Sequence, residues 1–440
     1  MAVYESDALG FKQFRPDAVV IPGNPAELVA LVRLLREEDV PYVIRGAGTS
    51  LSGGPVAAQG GVLIHLSRLR KIEEINAKEG YAVVESGVVL NQLDAALAPL
   101  GLYYPPDPST GPVCTLGGNV ATNAGGLHCF RYGVTSNYVL GVEVILLDGR
   151  IVRFGGPAGG RGEWRDDWKR LFVGSEGTLG VFTRFWLRVI PRPEKVWTFR
   201  ATYTDLEQSS EAIRQLARHP AYPAAIEFMD PRSVDMVENT PMGVGLPKGS
   251  YMLLTEIDGP PVLVDRRVEE IAAILRESGS SDVSYSDEPG KREALWKARK
   301  VQGGLLGQVS PQFVVQDAVI PKARLGEMLR FIYSQADAAA IPVTTVIHAG
   351  DGNLHPDFLF DANKPGDLEK VEQLGKALMR KVSEMVGTLS GEHGIGNDKS
   401  GYMAEHFGPL GQAMQLAVPA VFNPRHQLNP LKVFPERRFA

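Results

Sequence analysis

Tyr42–Gly54 reads YVIRGAGTSLSGG: a short apolar strand, Tyr42–Ile44, runs into a decapeptide, Arg45–Gly54, that holds four glycines. Two later segments share this texture, Leu116–Gly126 (LGGNVATNAGG) and Val173–Val181 (VGSEGTLGV). Glycine lets a backbone approach a ligand closely, and successive N–H groups in such turns form anion-binding concavities for which a pyrophosphate is a natural guest. The first segment is not a Rossmann fingerprint, because after Gly46 and Gly48 the third glycine position is Leu51. No GxxxxGK[ST] occurs either, which excludes the nucleotide-triphosphate loop. Tight turns between strands would explain any one segment; the three together favour a ligand that composition alone does not name.

Outward from these segments, the first 195 residues alternate short strands and helices. Pro25–Glu37 reads as an amphipathic helix introduced by Asn24-Pro25, and Gly61–Leu66, Tyr81–Glu85 and Val139–Leu146 read as strands. After the Pro191/Pro193 break the pattern becomes strand–helix–strand. Trp197–Tyr203, Asp205–Arg218 and Ala224–Phe228 make one such unit, and Tyr251–Ile257, Val262–Arg276 and Val283–Ser286 a second. Two such units suggest a helix-covered, mainly antiparallel sheet. The expected division is 1–195, 196–420 and a C-terminal segment 421–440, whose PAVFNPRHQLNPLKVF run (419–434) is expected to pack back on the first domain.

Composition narrows the function. At 440 residues, two domains is the prior. Hydrophobic content of 44% and charged content of 22% are those of an ordinary globular chain. A net charge of −5 without blocks of like charge argues against nucleic acid or an anionic membrane as the main partner. No apolar run approaches the ~18 residues of a membrane span, and Met1–Phe11 lacks the regions of a signal peptide. The two cysteines, Cys114 and Cys129, fit neither a zinc site nor a disulfide framework, which favours a reducing cytoplasm.

Further along, HAGDGNLHP (348–356) sets His348 and His355 on either side of a turn, and GEHG (391–394) adds Glu392 and His393. Val343–His348 reads as a β-branched strand, Leu354–Phe360 as its partner, and Gly350–Asn353 as the turn between them. Directly paired across such a hairpin, the imidazoles would lie about 5 Å apart. Two His and a carboxylate with an open coordination position are a recurrent catalytic metal set, and the adjacent imidazole adds a proton acceptor. Incidental loop histidines are the plain alternative; three of the chain's eight histidines in two glycine-framed motifs weigh against it.

RGAGTSLSGG, PPDPSTGPVCTLGGNVATNAGG, RYGVTSNYV, LFVGSEGTLG, HAGDGNLHP and GEHG occur together and in this order. As a set they resemble the FAD-linked 2-hydroxy-acid dehydrogenases, the group of glycolate oxidase flavin subunits, D-lactate dehydrogenases and D-2-hydroxyglutarate dehydrogenases within the vanillyl-alcohol-oxidase-type superfamily. The resemblance covers nearly the whole chain. It implies an α+β protein: a two-subdomain FAD-binding module of the PCMH type, then a cap domain of antiparallel sheet and helices that carries the substrate site. It implies that Arg45, Gly46, Ala47, Gly48, Thr49, Ser50 and Ser52 wrap the FAD pyrophosphate through backbone N–H groups. Pro106, Asp107, Thr115, Gly118, Asn119, Thr122, Gly125 and Gly126 would line the dinucleotide. Glu176, Gly180 and Val181 would flank its adenosine and ribose, and Asn429 and Lys432 would close over the flavin. Some superfamily members attach FAD through a His in the first loop. Thr49-Ser50-Leu51 stands there in this chain, so the flavin is expected to be non-covalent.

The same resemblance implies that His348, His355 and Glu392 ligate a divalent metal (Zn, Mn or Fe) and that His393 is the base. A metal on the 2-hydroxyl and carboxylate of a substrate lowers the hydroxyl pKa, and a neutral imidazole can take that proton near neutral pH. Arg299, in KREALWKARK, matches a family arginine that clamps the substrate carboxylate, although a helical Arg is ordinarily solvated. Asn353 is expected either to donate to the substrate or only to supply the αL turn conformation. Gly303 and Val315 stand where hydroxyglutarate-type relatives hold a distal carboxylate, so a small D-2-hydroxy acid, glycolate or D-lactate, is the expected substrate. The competing readings are a metallohydrolase, which leaves the glycine segments unexplained, and a non-catalytic flavin relay, which leaves the His/Glu set unexplained. Partners consistent with the chain are an iron–sulfur or other electron-acceptor subunit, since no cysteine cluster exists here, and a second copy as a homodimer. Contact with the inner membrane would come only through such a partner.

Overall fold

The computed structural model of the protein describes residues 2–10, 12–157 and 167–434; 435–440, the end of the expected C-terminal segment, lies outside the described residues. The chain forms two compact units. The first comprises Met1–Gly126, Gly133–Arg192 and Glu392–Ala440, and the second Leu127–Tyr132 and Pro193–Gly391. The chain therefore passes from one unit to the other at four peptide bonds, where the sequence pattern suggests two.

In the first unit, Pro25–Glu37 is helical because Asn24 caps it: its Oδ1 accepts from Glu27 N at 3.0 Å, and Pro25 suits the first turn. The apolar stripe Leu28, Val32 and Leu35 packs with Tyr42, Ile64 and Leu428. Behind it lies a parallel three-stranded sheet with Val62–His65 between Ala18–Val20 and Tyr42–Arg45. A second, antiparallel sheet runs in the order Ile72–Asn76, Tyr81–Glu85, Val181–Arg188, Val139–Ile145, Ile151–Gly155. These two sheets are the two subdomains of the expected module. The C-terminal segment does return to this unit: Tyr42 N donates to Gln427 O at 2.8 Å and Asn429 N to Tyr42 O at 2.8 Å. Met403–Phe422 lies here too, held at its end where Phe422 meets the Phe172 ring edge-on with centroids 5.3 Å apart.

The second unit is built on an eight-stranded antiparallel sheet. Its order is Asp282–Ser286, Lys195–Tyr203, Tyr251–Gly259, Ala225–Met229, Val343–His348, Asn353–Phe360, Gln312–Val315, with the short Ala318–Val319 also pairing on Asn353–Phe360. Side chains alternate between faces, and the register pairs Glu227 with His348 and Val346 with His355. Ala225, Glu227, Met229, Val346, His348, Asn353, His355 and Asp357 thus share one face. The helix Pro289–Val309 covers it, with Trp296, Leu305 and Leu306 packed among Met229, Met252, Val346 and Leu359. The single helix expected over Val262–Arg276 is two, Pro261–Asp265 and Val268–Glu277. The break at Arg266-Arg267, where Arg267 N donates to Val264 O at 2.9 Å, lets Val268, Ile271 and Leu275 bury together.

Leu127–Tyr132 is a strap of six residues that belongs to the second unit while its flanks belong to the first. Three side chains fasten it: His128 to Glu256 at 3.0 Å, Arg131 to Asp258 at 2.9 Å and Tyr132 to Asp258 at 2.6 Å. Phe130 is pressed against Gly350, where an added Cβ would stand 2.6 Å from the ring.

Candidate active site

The histidine hairpin forms as Val343–His348 and Asn353–Phe360, but its register differs from direct His–His pairing. His348 faces Asn353 and His355 faces Val346, because the four-residue turn Ala349–Gly352 closes between 348 and 353. The imidazoles are diagonal neighbours on one face. They nonetheless approach, with ring centroids 5.0 Å apart at 79°. His348 Nδ1 bonds Glu227 Oε1 at 2.7 Å and His355 Nδ1 bonds Gln316 O at 3.3 Å. Both acceptors fix the ring orientation and make Nε2 the nitrogen that can ligate. The left-handed turn position is taken by Gly352 (φ 79°), and Asn353 is an ordinary strand residue. Its Oδ1 is buried without a hydrogen-bond partner among the described residues.

Arg299 is not on a solvated helix face. The buried positions Leu295, Arg299, Gln302 and Leu306 form one stripe against the sheet. Arg299 Nε donates to Glu227 Oε2 at 2.9 Å, and among the described residues neither terminal nitrogen has an acceptor. Gln302 Nε2 donates to Asp357 Oδ2 at 2.8 Å, and Thr344 Oγ1 to the same oxygen at 3.2 Å. Burial is the largest influence on the Asp357 carboxyl and pushes it up to about 7. The second unit so gathers His348, His355, Asn353 and Arg299, joined by Glu227, Asp357 and Gln302.

The chain approaches GEHG from this unit under the control of Asp317. Its carboxylate accepts from Ser390 Oγ at 2.5 Å, and both oxygens accept from Gly391 N at 3.0 Å. An added Cβ at Gly391 would stand 2.4 Å from the Asn353 amide. Glu392 and His393 then open the last segment of the first unit. There, Ser52 Oγ donates to His393 O at 3.0 Å, and Glu176 accepts from Ile395 N at 2.7 Å and Gly396 N at 2.6 Å. Both Glu176 oxygens accept from protein amides. Burial is the main influence on this carboxyl and raises its pKa against those two bonds.

Around the first glycine segment, the first unit presents donors. No backbone N–H from Gly46 to Leu51 has a protein acceptor among the described residues. Asn119 Nδ2 is buried and equally without a partner among them. Donors left in a row are what a pyrophosphate needs, so the residues present fit FAD. The segments that would line it converge: a Cβ on Gly46 would meet Thr115 Oγ1, and one on Gly126 would meet Asp107 at 2.5 Å. Thr115 Oγ1 caps the helix Leu116–Thr122 by accepting from Gly118 N at 3.3 Å, and Thr122 Oγ1 donates back to Gly118 O. Several of the expected residues also brace the unit internally. The Arg45 guanidinium, its pKa lowered chiefly by burial, bonds the carbonyls of Ser6, Pro55 and Val3 beneath Gly48. Gly180 and Val181 pack into the antiparallel sheet beside Val144 and Ile145. Lys432, nearly fully buried, donates to Gly53 O at 2.8 Å and Val56 O at 2.7 Å, and burial lowers its pKa to about 8. Asn429 Oδ1 accepts from Ile44 N, while its Nδ2 donates to Glu176 O at 3.0 Å.

Residues 16–155 match the family described as FAD binding domain, and residues 192–433 the family described as FAD linked oxidases, C-terminal domain. The chain belongs to the FAD-linked oxidase family. Glycolate oxidase subunit GlcD of Bacillus subtilis (strain 168) is 36% identical over 433 residues, covering 98% of this chain and 92% of the relative. A D-lactate dehydrogenase of Anaerostipes hadrus is 34% identical over 430 residues, covering 95% and 90%. An alkyldihydroxyacetonephosphate synthase structure superposes with a TM-score of 0.70 at 17% identity, covering 94% of this chain and 76% of that one, a likeness of fold. As a member of that family the chain is an FAD-linked oxidoreductase.

Sequence reasoning missed Glu227, Asp317 and Asp357 in this FAD-linked oxidase. Two had a signal. Glu227 interrupts the apolar strand AIEFM, and Asp357 stands two residues from His355, on the same face of its strand. Asp317 had none, since its role depends on where Thr388–Gly391 runs beside Val319.

Proposed function

We propose that the chain is an FAD-dependent dehydrogenase of a small D-2-hydroxy acid, glycolate or D-lactate, which it oxidises to the 2-oxo acid. A divalent cation (Zn²⁺, Mn²⁺ or Fe²⁺) is held by His348, His355 and Glu392. The observation that carries this reading is the buried sheet face where two diagonal imidazoles, the Asn353 Oδ1 and the Arg299 terminal nitrogens stand together. Non-covalent FAD, when bound, supplies the hydride acceptor, and the cation supplies polarisation of the 2-hydroxyl. Arg299 grips the substrate carboxylate with its planar fork. His393 takes the hydroxyl proton, and the Asn353 side-chain amide donates to a substrate oxygen. The glycolate oxidase and D-lactate dehydrogenase names of the relatives support this substrate class.

Electrons then leave to another subunit, which the name of the GlcD relatives also supports. Phe407, Leu410, Met414 and Val421 expose an apolar surface along Met403–Phe422 for such a partner or a second copy. No helix among the described residues is long and apolar enough to cross a membrane, and we place the protein in the cytoplasm on its two free thiols. The test is an anaerobic screen of D- and L-2-hydroxy acids against the FAD-loaded protein. Glycolate or D-lactate should bleach the oxidised flavin band, and His393→Ala should abolish bleaching with FAD still bound. Bleaching by none of the acids, or unchanged bleaching in the variant, would contradict the reading.

A further inference from the structure

The geometry points to Glu227 as a positioning residue that serves the metal ligand His348 and the carboxylate clamp Arg299 at once; this rests on the reading above. Glu227 is fully buried at the centre of the sheet, and its two oxygens are divided. Oε1 meets His348 Nδ1 at 2.7 Å and Oε2 meets Arg299 Nε at 2.9 Å. Neither choice is accidental. Glu227 pairs with His348 in the strand register, which puts the carboxylate beside the ring, and Arg299 reaches it from the buried stripe of Pro289–Val309.

Each bond does a separate task. The bond to Nδ1 holds the ring with Nε2 as the ligating nitrogen and increases its donor strength, as carboxylates behind ligating histidines do. The bond to Nε uses the one guanidinium nitrogen that faces along the side chain. It leaves the terminal pair, which two substrate oxygens would match. Glu227 touches neither substrate nor cofactor in this scheme. A carboxylate is required because it alone offers two acceptor oxygens and a negative charge against an arginine and an imidazole in a dry site.

The test uses Glu227→Gln in the FAD-loaded protein. Zn²⁺ and Mn²⁺ are the probes: the protein is stripped with a chelator, and affinity is read by metal content after equilibrium dialysis. The expected result is a 10- to 100-fold loss of metal affinity with unchanged FAD content and far-UV circular dichroism. KM for the 2-hydroxy acid should rise at saturating metal. A merely structural role would leave metal affinity within twofold of wild type once the fold is intact, and that result overturns the inference alone. Wild-type protein that binds neither metal overturns the cation reading and this inference with it. If Glu227→Gln does not accumulate folded, Glu227→Asp keeps the charge but withdraws it by one methylene. Its metal affinity should fall several-fold, and wild-type affinity there overturns the inference.

Discussion

Glu256 is a carboxylate of the second unit with four side-chain partners, and Glu256→Gln gives its strength a number. Almost fully buried, it accepts from Trp296 Nε1 at 2.7 Å, Arg292 Nη2 at 3.1 Å and Thr198 Oγ1, and it pairs with His128 at 3.0 Å. Burial is the largest single influence and would raise its pKa. The bonds from His128, Thr198 and Trp296 together outweigh it and hold the carboxyl at about 2, against an ordinary 4.5. A folded pKa below the unfolded one means stability that is present above pH 4.5 and lost as pH falls towards 2. At 1.36 kcal/mol per unit, the contribution at pH 7 is about 3 kcal/mol. Glutamine keeps the volume and one acceptor but not the charge. Urea unfolding with excess FAD, followed by circular dichroism, should find the variant about 3 kcal/mol less stable at pH 7. The gap should shrink to about 1 kcal/mol at pH 3, where the unfolded carboxyl is already protonated. A gap that is the same at pH 7 and pH 3, or absent at pH 7, refutes the reasoning.

Gly350→Ala should lower stability by about 1–3 kcal/mol, because the new methyl stands 2.6 Å from Phe130 Cγ. Thermal melts of the single and double variants with Phe130→Leu check this: the double variant should lose less than the sum of the singles. Lys432 gives a pH dependence of the same sign as Glu256, in a higher pH window. Its folded pKa of about 8 lies below the unfolded 10.5, so between those values the unfolded chain binds more protons and stability rises with pH. Denaturation at pH 7.5, 9 and 10 should show Lys432→Met lacking a rise of up to about 3 kcal/mol that the wild type has; parallel curves for the two proteins would contradict this.

Much of the fold was legible because local chemistry decided it. Asn24-Pro25 begins the helix where capping requires, and Val343–His348 is a strand where β-branched residues run consecutively. The exchange of chain between units was not. Leu127–Tyr132 carries no strand or helix pattern that sets it apart; it joins the second unit through Glu256 and Asp258, both more than a hundred residues later. At the site, residue types were readable and register was not. A two-residue difference in turn length decides whether His348 faces His355 or Asn353, and both registers keep the imidazoles on one face. An Arg in a basic helical run is ordinarily solvated, yet the spacing of Arg299 from Leu295, Gln302 and Leu306 is that of a buried face.

The glycines of GEHG also take a different meaning in three dimensions. In the sequence they frame Glu392 and His393. In the structure they are clearances. Gly391 leaves room for the Asn353 amide, and Gly394, at φ 86°, leaves room for the Glu176 carboxyl, 3.0 Å from where a Cβ would be. The backbone on either side of Glu392 and His393 is held by Asp317 on Ser390 and Gly391 and by Glu176 on Ile395 and Gly396. Each amide-to-carboxylate bond contributes on the order of 1.5–3 kcal/mol, enough to offset the conformational entropy of ordering a glycine-framed tetrapeptide at roughly 1–2 kcal/mol per residue. The acids Asp317 and Glu176, with Ser52 on His393 O, thus hold this stretch from outside the motif, and nothing within GEHG itself points to them.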